Sequence, residues 1–217
     1  MHKGLFITFE GGEGSGKTTQ INRLAHTLSQ TGQKILTTRE PGGTPEGEKI
    51  RNLLVQREGG NWTPTAEILL LFAARVMHVE KIIKPALEDN KIVICDRFTD
   101  STIAYQGYGH SHNIDSIEKI GALSLGDFGP DLTIILDIDP EEGLRRSDRR
   151  LAAEQFNVKE REDRYEQLDI EFHKRLRRGF LEIAGKEPER CHVIPAMQDI
   201  DVVSNQIADI VREKIAR

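Results

Sequence analysis

Five short apolar runs rich in β-branched residues recur along the chain, at Leu5–Phe9, Lys34–Thr38, Ile92–Cys95, Leu132–Asp137 and His192–Ile194. Stretches of helical periodicity separate them. Thr18–Gln30 places Ile21, Leu24, Ala25 and Leu28 on one face, and Thr65–Glu88 reads as one long helix, apolar in its first half. Asp199–Ala216 carries a core-facing stripe of Val202, Val203, Ile207, Ile210, Val211 and Ile215. Strands alternating with helices predict an α/β fold, a five-stranded parallel sheet flanked by helices on both faces. One stretch departs from this pattern: Leu144–Tyr165 is dense in charge and poor in apolar residues. It reads either as a solvated helix laced with ion pairs or as a mobile basic lid.

Residues Gly11-Gly12-Glu13-Gly14-Ser15-Gly16-Lys17-Thr18 fit G-x-x-x-x-G-K-[ST], with a strand-like run before them and a helix-like run after. In that context the glycines let backbone N–H groups wrap a phosphate chain at the positive end of a helix. Lys17 then reaches the β- and γ-phosphates of a nucleoside triphosphate and Thr18 is a Mg²⁺ ligand. Catalysis of phosphoryl transfer is positioning plus electrostatic stabilisation. The variable positions of this loop hold no arginine, so further cations must come from elsewhere, and Arg146, Arg149 and Arg150 in the basic stretch are the source the sequence offers.

Ligands of open α/β sheets bind at the carboxyl ends of the strands. Arg39 follows the second strand, and Asp96-Arg97 follow the third. Two arginines there suit a second, phosphate-bearing substrate. Asp96 is the candidate to hold Mg²⁺ through water, with Asp137 as the alternative. Phe72 and Arg75 lie three residues apart on one helix face, an arrangement that stacks and hydrogen-bonds a nucleobase or, equally, a core ring beside a snorkelling arginine. His110 and His112 lack a third ligand nearby for a metal, and Val93 departs from a guanine-reading N-K-x-D motif at Asn90-Lys91.

At 217 residues with 37% hydrophobic content, the chain suits one sizeable domain. A net charge of −5 disfavours nucleic acid as a partner. The two cysteines, Cys95 in an apolar run and Cys191, predict free thiols and a cytoplasmic setting. No signal peptide is visible, and the longest apolar run, Ile68–Ala74, falls far short of the roughly 20 residues that span a bilayer.

G-G-E-G-S-G-K-T, T-R-E-P-G-G-T at Thr38–Thr44, F-A-A-R at Phe72–Arg75, D-R-F-T-D-S-T-I-A-Y-Q-G at Asp96–Gly107 and D-R-Y-E at Asp163–Glu166 together resemble bacterial thymidylate kinase over nearly the whole chain. The resemblance implies a P-loop kinase fold in one domain spanning 1–217, with a lid near 144–165, and transfer of phosphate from ATP to dTMP with Mg²⁺. It implies that Arg39 and Arg97 hold the dTMP phosphate, that Pro41 is among the dTMP-binding residues, and that Glu13 meets the sugar 3′-hydroxyl and the catalytic assembly. Arg75 would donate to the thymine carbonyl and Phe72, or Leu71, would wall the base, with Ser101, Thr102, Tyr105 and Gln106 completing the pocket. The P-loop without arginine resembles the subtype in which lid arginines serve instead. Arg150, or Arg149, would then approach the transferred group, Arg146 would lie against adenine, and Ala196 to Gln198 would line the purine. A homodimer is also implied.

Overall fold

In the computed structural model, residues 4–56, 60–153 and 163–216 are described. Part of the charged stretch, residues 154–162, lies outside them. The chain runs β1 (Leu5–Glu10), α1 (Lys17–Ser29), β2 (Ile35–Arg39), α2 (Pro45–Val55), α3 (Pro64–His78), α4 (Lys84–Glu88), β3 (Ile92–Asp96), α5 (Thr99–Thr102), α6 (Ile114–Leu125), β4 (Leu132–Asp137), α7 (Pro140–Ala153), α8 (Ile170–Lys186), β5 (Cys191–Pro195) and α9 (Ile200–Ala216). The five strands form one parallel sheet in the order β2-β3-β1-β4-β5. All five predicted runs are strands, with ends shifted by a residue or so where β2 continues to Arg39 and β5 spans Cys191–Pro195.

The central strands are buried on both faces, which explains their unbroken apolar character. On one face Ile7, Phe9, Ile94 and Ile134 pack against Ile21 and Leu24 of α1 and Val203, Ile207 and Val211 of α9. On the other, Phe6, Val93 and Phe98 pack with Val79, Ile83 and Leu87, and Ile135 packs with Leu176 and Phe180 of α8. Phe6 and Phe98 meet edge to face at 5.0 Å, which pins the segment after β3 to the core.

The run predicted as a single helix over Thr65–Glu88 is instead interrupted by a wide π turn at Val79–Ile83. Pro85 supplies the reason: it has no N–H to donate and its ring crowds the preceding turn, so a locally wider turn accommodates it. A second π segment, Ile103–Gly109, continues α5 and carries Tyr105 and Gln106. The pairing of Phe9 with Asp96 and of Asp96 with Arg39 brings the carboxyl ends of β1, β2 and β3 side by side. That edge positions the site.

Candidate active site

A cleft of about 720 Å³ opens at this edge. Its floor is the loop from Glu13 into α1. Gly16 precedes the helix at φ 89°, a left-handed conformation that favours glycine. At Gly14, with φ 65°, a Cβ would come within 2.0 Å of the Gly143 carbonyl at the start of α7, so only glycine lets the two segments approach. Lys17 is nearly buried and folds back over the loop, donating from Nζ to the carbonyls of Gly11 and Gly12 at 3.1 Å each and to Ser15 Oγ at 3.4 Å. Burial, then the neighbouring Arg97, pushes its pKa down from 10.5. Ser15 and Thr18 line the cleft, whereas Gly11 and Gly12 line a smaller cavity.

Arg97 is the hub of the site. At φ 69° it turns out of β3 and donates from Nη1 to Gly11 O (3.0 Å) and Ser101 Oγ (3.2 Å), and from Nη2 to Glu13 Oε1 (3.0 Å). Its guanidinium lies 4.8 Å over the Tyr105 ring, and the Tyr105 hydroxyl donates to Glu13. Burial alone would push the Glu13 carboxyl up, but Arg97 and then Lys17 outweigh it and hold the pKa at about 2. Arg39, by contrast, is half exposed at the rim and pairs with Glu48 at 3.0 Å.

Asp96 lines the cleft, and its Oδ1 is buried without a hydrogen-bond partner among the described residues. An unpartnered carboxylate oxygen on a residue that lines the same cleft as Thr18 suits a hard, oxygen-ligated cation or its water. Asp137 is instead engaged by Arg177 in a two-bond ion pair at 2.7 and 2.9 Å. Between these assignments the geometry favours Asp96.

Deeper in the cleft, Arg75 is almost wholly buried. Its Nε donates to Glu40 at 2.6 Å and its Nη2 to Phe98 O (3.1 Å) and Thr102 Oγ1 (3.0 Å), while Nη1 has no partner among the described residues. Glu40 is also 2.9 Å from the His78 ring, whose other nitrogen meets Thr38 Oγ1 at 2.7 Å. Gln106 donates to Glu67 at 2.7 Å and leaves its carbonyl oxygen unpartnered among the described residues. A buried donor and a buried acceptor thus remain for a ligand with matching edges, since such groups are costly to leave unpaired.

Several expected neighbours lie elsewhere. Phe72 is not a cleft wall: its ring packs with Ile68 and Ile117 in the core, 4.8 Å from the Arg75 guanidinium, and Leu71, turned one position around the helix, lines the cleft instead. Ala196 and Gln198 lie outside the lining, Gln198 bonding to Pro195 O and Gln206. Arg146 nevertheless reaches that segment, 3.4 Å from Ala196 O, and lines the cleft with Ser147, Arg150 and Leu151 along one face of α7. Arg149 is exposed and off that face.

Three carboxylates escaped the sequence reading. Glu10 is fully buried at the end of β1, accepting from Phe98 N–H (2.8 Å) and Ser101 Oγ (2.5 Å), both just after Arg97 in the chain, and burial, then the Asp100 charge, pushes it up to about 8. Glu40 and Glu67 anchor Arg75 and Gln106. The signal for Glu10 and Glu67 was a charged residue beside an apolar run, and for Glu40 its place in T-R-E-P-G-G-T. Pro41 lines the cleft after a cis Glu40–Pro41 bond.

A phosphate loop at the end of a central parallel strand, facing convergent arginines across one cleft, defines a P-loop kinase. The sequence profile of the family described as thymidylate kinase matches residues 9–207. A thymidylate kinase from Geobacter sulfurreducens is 44% identical over 214 residues, 99% of each chain. One from Caulobacter vibrioides is 46% identical over 215 residues, again 99% of each. A crystal structure of thymidylate kinase from Ehrlichia chaffeensis matches with a TM-score of 0.75 and 40% identity, covering 96% of this chain and 98% of that one. The chain belongs to the thymidylate kinase family.

Proposed function

We propose that the protein transfers the γ-phosphoryl group of ATP to dTMP, giving ADP and dTDP. A phosphate oxygen of dTMP attacks the γ-phosphorus as the bond to the β–γ bridging oxygen breaks, and that electron pair leaves with ADP. A phosphate monoester has a second pKa of about 6, so at neutral pH the acceptor is already mostly a dianion and needs no general base. The observation that carries this reading is the convergence of Lys17, Arg97 and the buried Arg75 on one cleft.

In this reading Lys17 and the P-loop amides hold the donor phosphates. Arg97, with Arg39 at the rim, holds the acceptor phosphate. Glu13 keeps Arg97 and Tyr105 in place and meets the sugar, and Tyr105 crowds a ribose 2′-hydroxyl. Arg75 Nη1 donates to the thymine O4, Leu71 and Pro41 flank the base, and Ser101, Thr102 and Gln106 complete the pocket. Mg²⁺ would be held by Thr18 and, through water, by Asp96, and when bound it neutralises charge on the β- and γ-phosphates. Arg146 lies against adenine and Arg150 serves the transferred group, so the lid replaces the arginine that the P-loop lacks.

We further infer one domain with the segment 144–165 as its lid, working in the cytoplasm. Two buried free thiols and the lack, among the described residues, of a helix long and apolar enough to cross a membrane support that setting. A homodimer is supported by Leu53, Leu69 and Leu123, apolar yet exposed on α2, α3 and α6. The test of function is ADP release with a panel of nucleoside monophosphates, in which dTMP should be the preferred acceptor. Preference for another nucleotide would make the protein a different monophosphate kinase.

A further inference from the structure

A second cavity, about 20 Å³, adjoins the P-loop at Gly11–Glu13 and is bounded by Asp137, Leu144 and His173. His173, in the first turn of α8, is 4% exposed, and its Nε2 is buried with no hydrogen-bond partner among the described residues. The ring is not loose: it meets Phe172 edge to face at 5.3 Å. Glu13 is near enough for each group to act on the other's titration. Burial lowers the pKa of His173, which favours the neutral ring with one nitrogen to donate and one to accept.

His173 lines this cavity, a buried polar atom needs a partner, and the cavity exceeds the roughly 10–15 Å³ that one water requires. Gly11, Gly12 and Glu13 also line the cavity, and each carries a backbone N–H and carbonyl. We propose that the cavity holds one structural water linking His173 Nε2 to the backbone at Gly12–Glu13, which makes His173 a positioning residue for the Glu13 carboxylate. The P-loop is a glycine-rich segment with Gly11 and Gly14 at positive φ, so little in its own sequence fixes the peptide that carries Glu13. The water ties that peptide to α8. Glu13 in turn accepts from Arg97 and Tyr105, so a shift of its carboxylate misplaces the acceptor arginine.

The role of Glu13 rests on the kinase reading above; the water does not. A crystal structure of the wild-type chain, at a resolution that shows ordered water, should place one within hydrogen-bond distance of Nε2. A dry cavity, or a protein group bonded to Nε2, overturns the proposal. In parallel, steady-state kinetics compare His173→Phe, which fills the space without a polar atom, with His173→Gln, whose carboxamide reaches the position of Nε2. His173→Phe should lower kcat about tenfold with both KM values nearly unchanged, as expected of misplaced catalytic groups, and His173→Gln should recover most of the loss. Unchanged kcat in His173→Phe, or equal impairment of both variants, leaves His173 a packing residue and overturns the proposal. If His173→Phe does not fold, His173→Asn, too short to reach the cavity, takes its place. Wild-type turnover of dTMP is measured in the same series, so failure of the kinase reading shows itself separately.

Discussion

Replacing Arg150 by alanine separates catalysis from stability more cleanly than any other change at this site. Arg150 faces the cleft from α7, its side chain is 59% exposed, and its Nη2 lies 3.7 Å from Glu166 Oε1. Only the arginine half of that pair is exposed; Glu166 is 5% exposed and burial raises its pKa to about 7, so on loss of the arginine the carboxyl can take up a proton, and Arg150→Ala should lower the unfolding temperature only modestly near neutral pH. The catalytic effect should be far larger. An arginine supplied to a phosphoryl-transfer transition state is worth about 10³–10⁵ in kcat, which is about 4–7 kcal/mol of barrier. The P-loop offers no arginine of its own to cover that loss. A coupled ADP-release assay at saturating ATP and dTMP should show the fall, while calorimetry of dTMP binding without ATP should give almost the wild-type affinity. Arg149→Ala, one position off the cleft-facing stripe, is the control and should turn over like wild type. Loss of less than about tenfold in Arg150→Ala, which is only about 1.4 kcal/mol, refutes the lid assignment. A severe Arg149→Ala with a mild Arg150→Ala shifts its register by one residue.

Lys17→Ala should lower turnover while dTMP binding persists, whereas Arg97→Ala should lower turnover and also raise the KM for dTMP; near-wild-type kinetics in either variant contradicts the site. Phe72→Ala should destabilise the fold by about 3–5 kcal/mol, the usual loss for a buried ring, whereas Leu71→Ala should mainly raise the KM for dTMP; the reverse pattern in thermal unfolding and kinetics would restore Phe72 as the wall of the base. Glu10, raised from 4.5 to about 8, favours the fold most below its unfolded pKa, and that contribution is lost as pH rises from 4.5 through about 8. Tm should therefore fall between about pH 5 and pH 8.5 more steeply in the wild type than in Glu10→Gln, and parallel curves would show that Glu10 does not titrate there.

The parts of this fold that obey local rules were legible in the sequence. Parallel strands buried on both faces must be apolar throughout, so β1, β3 and β4 stand out from the polar helices between them, and the P-loop is visible because its backbone geometry demands glycine at fixed places. What escaped was set by tertiary contacts. Glu10, Glu40 and Glu67 look like ordinary carboxylates in one dimension, and only the folded chain brings them to Arg97, Arg75 and Gln106. Phe72 and Leu71 are equally apolar neighbours, and the choice between core and cleft depends on how α3 is rotated against α6. The π turn at Val79–Ile83 follows from Pro85, whose effect on a helix can be a break, a kink or a wider turn according to what packs around it.

The central claim is that one cleft selects thymidine monophosphate and phosphorylates it, and the rates of ADP release with dTMP, dUMP, dCMP, dGMP and UMP test it most directly. Loss of the thymine methyl removes only apolar contact, about 1–3 kcal/mol or some 10–200-fold, so dUMP should be a poor but measurable acceptor. Cytosine presents an amino donor where thymine presents O4, facing the buried Arg75 Nη1 that has no partner among the described residues, so dCMP should fall well below dUMP. UMP and dGMP should be poorer acceptors than dTMP as well, the first on the proposed crowding of a 2′-hydroxyl by Tyr105. The account predicts dTMP first, dUMP next and dCMP far behind; equal kcat/KM for dCMP and dTMP would contradict it.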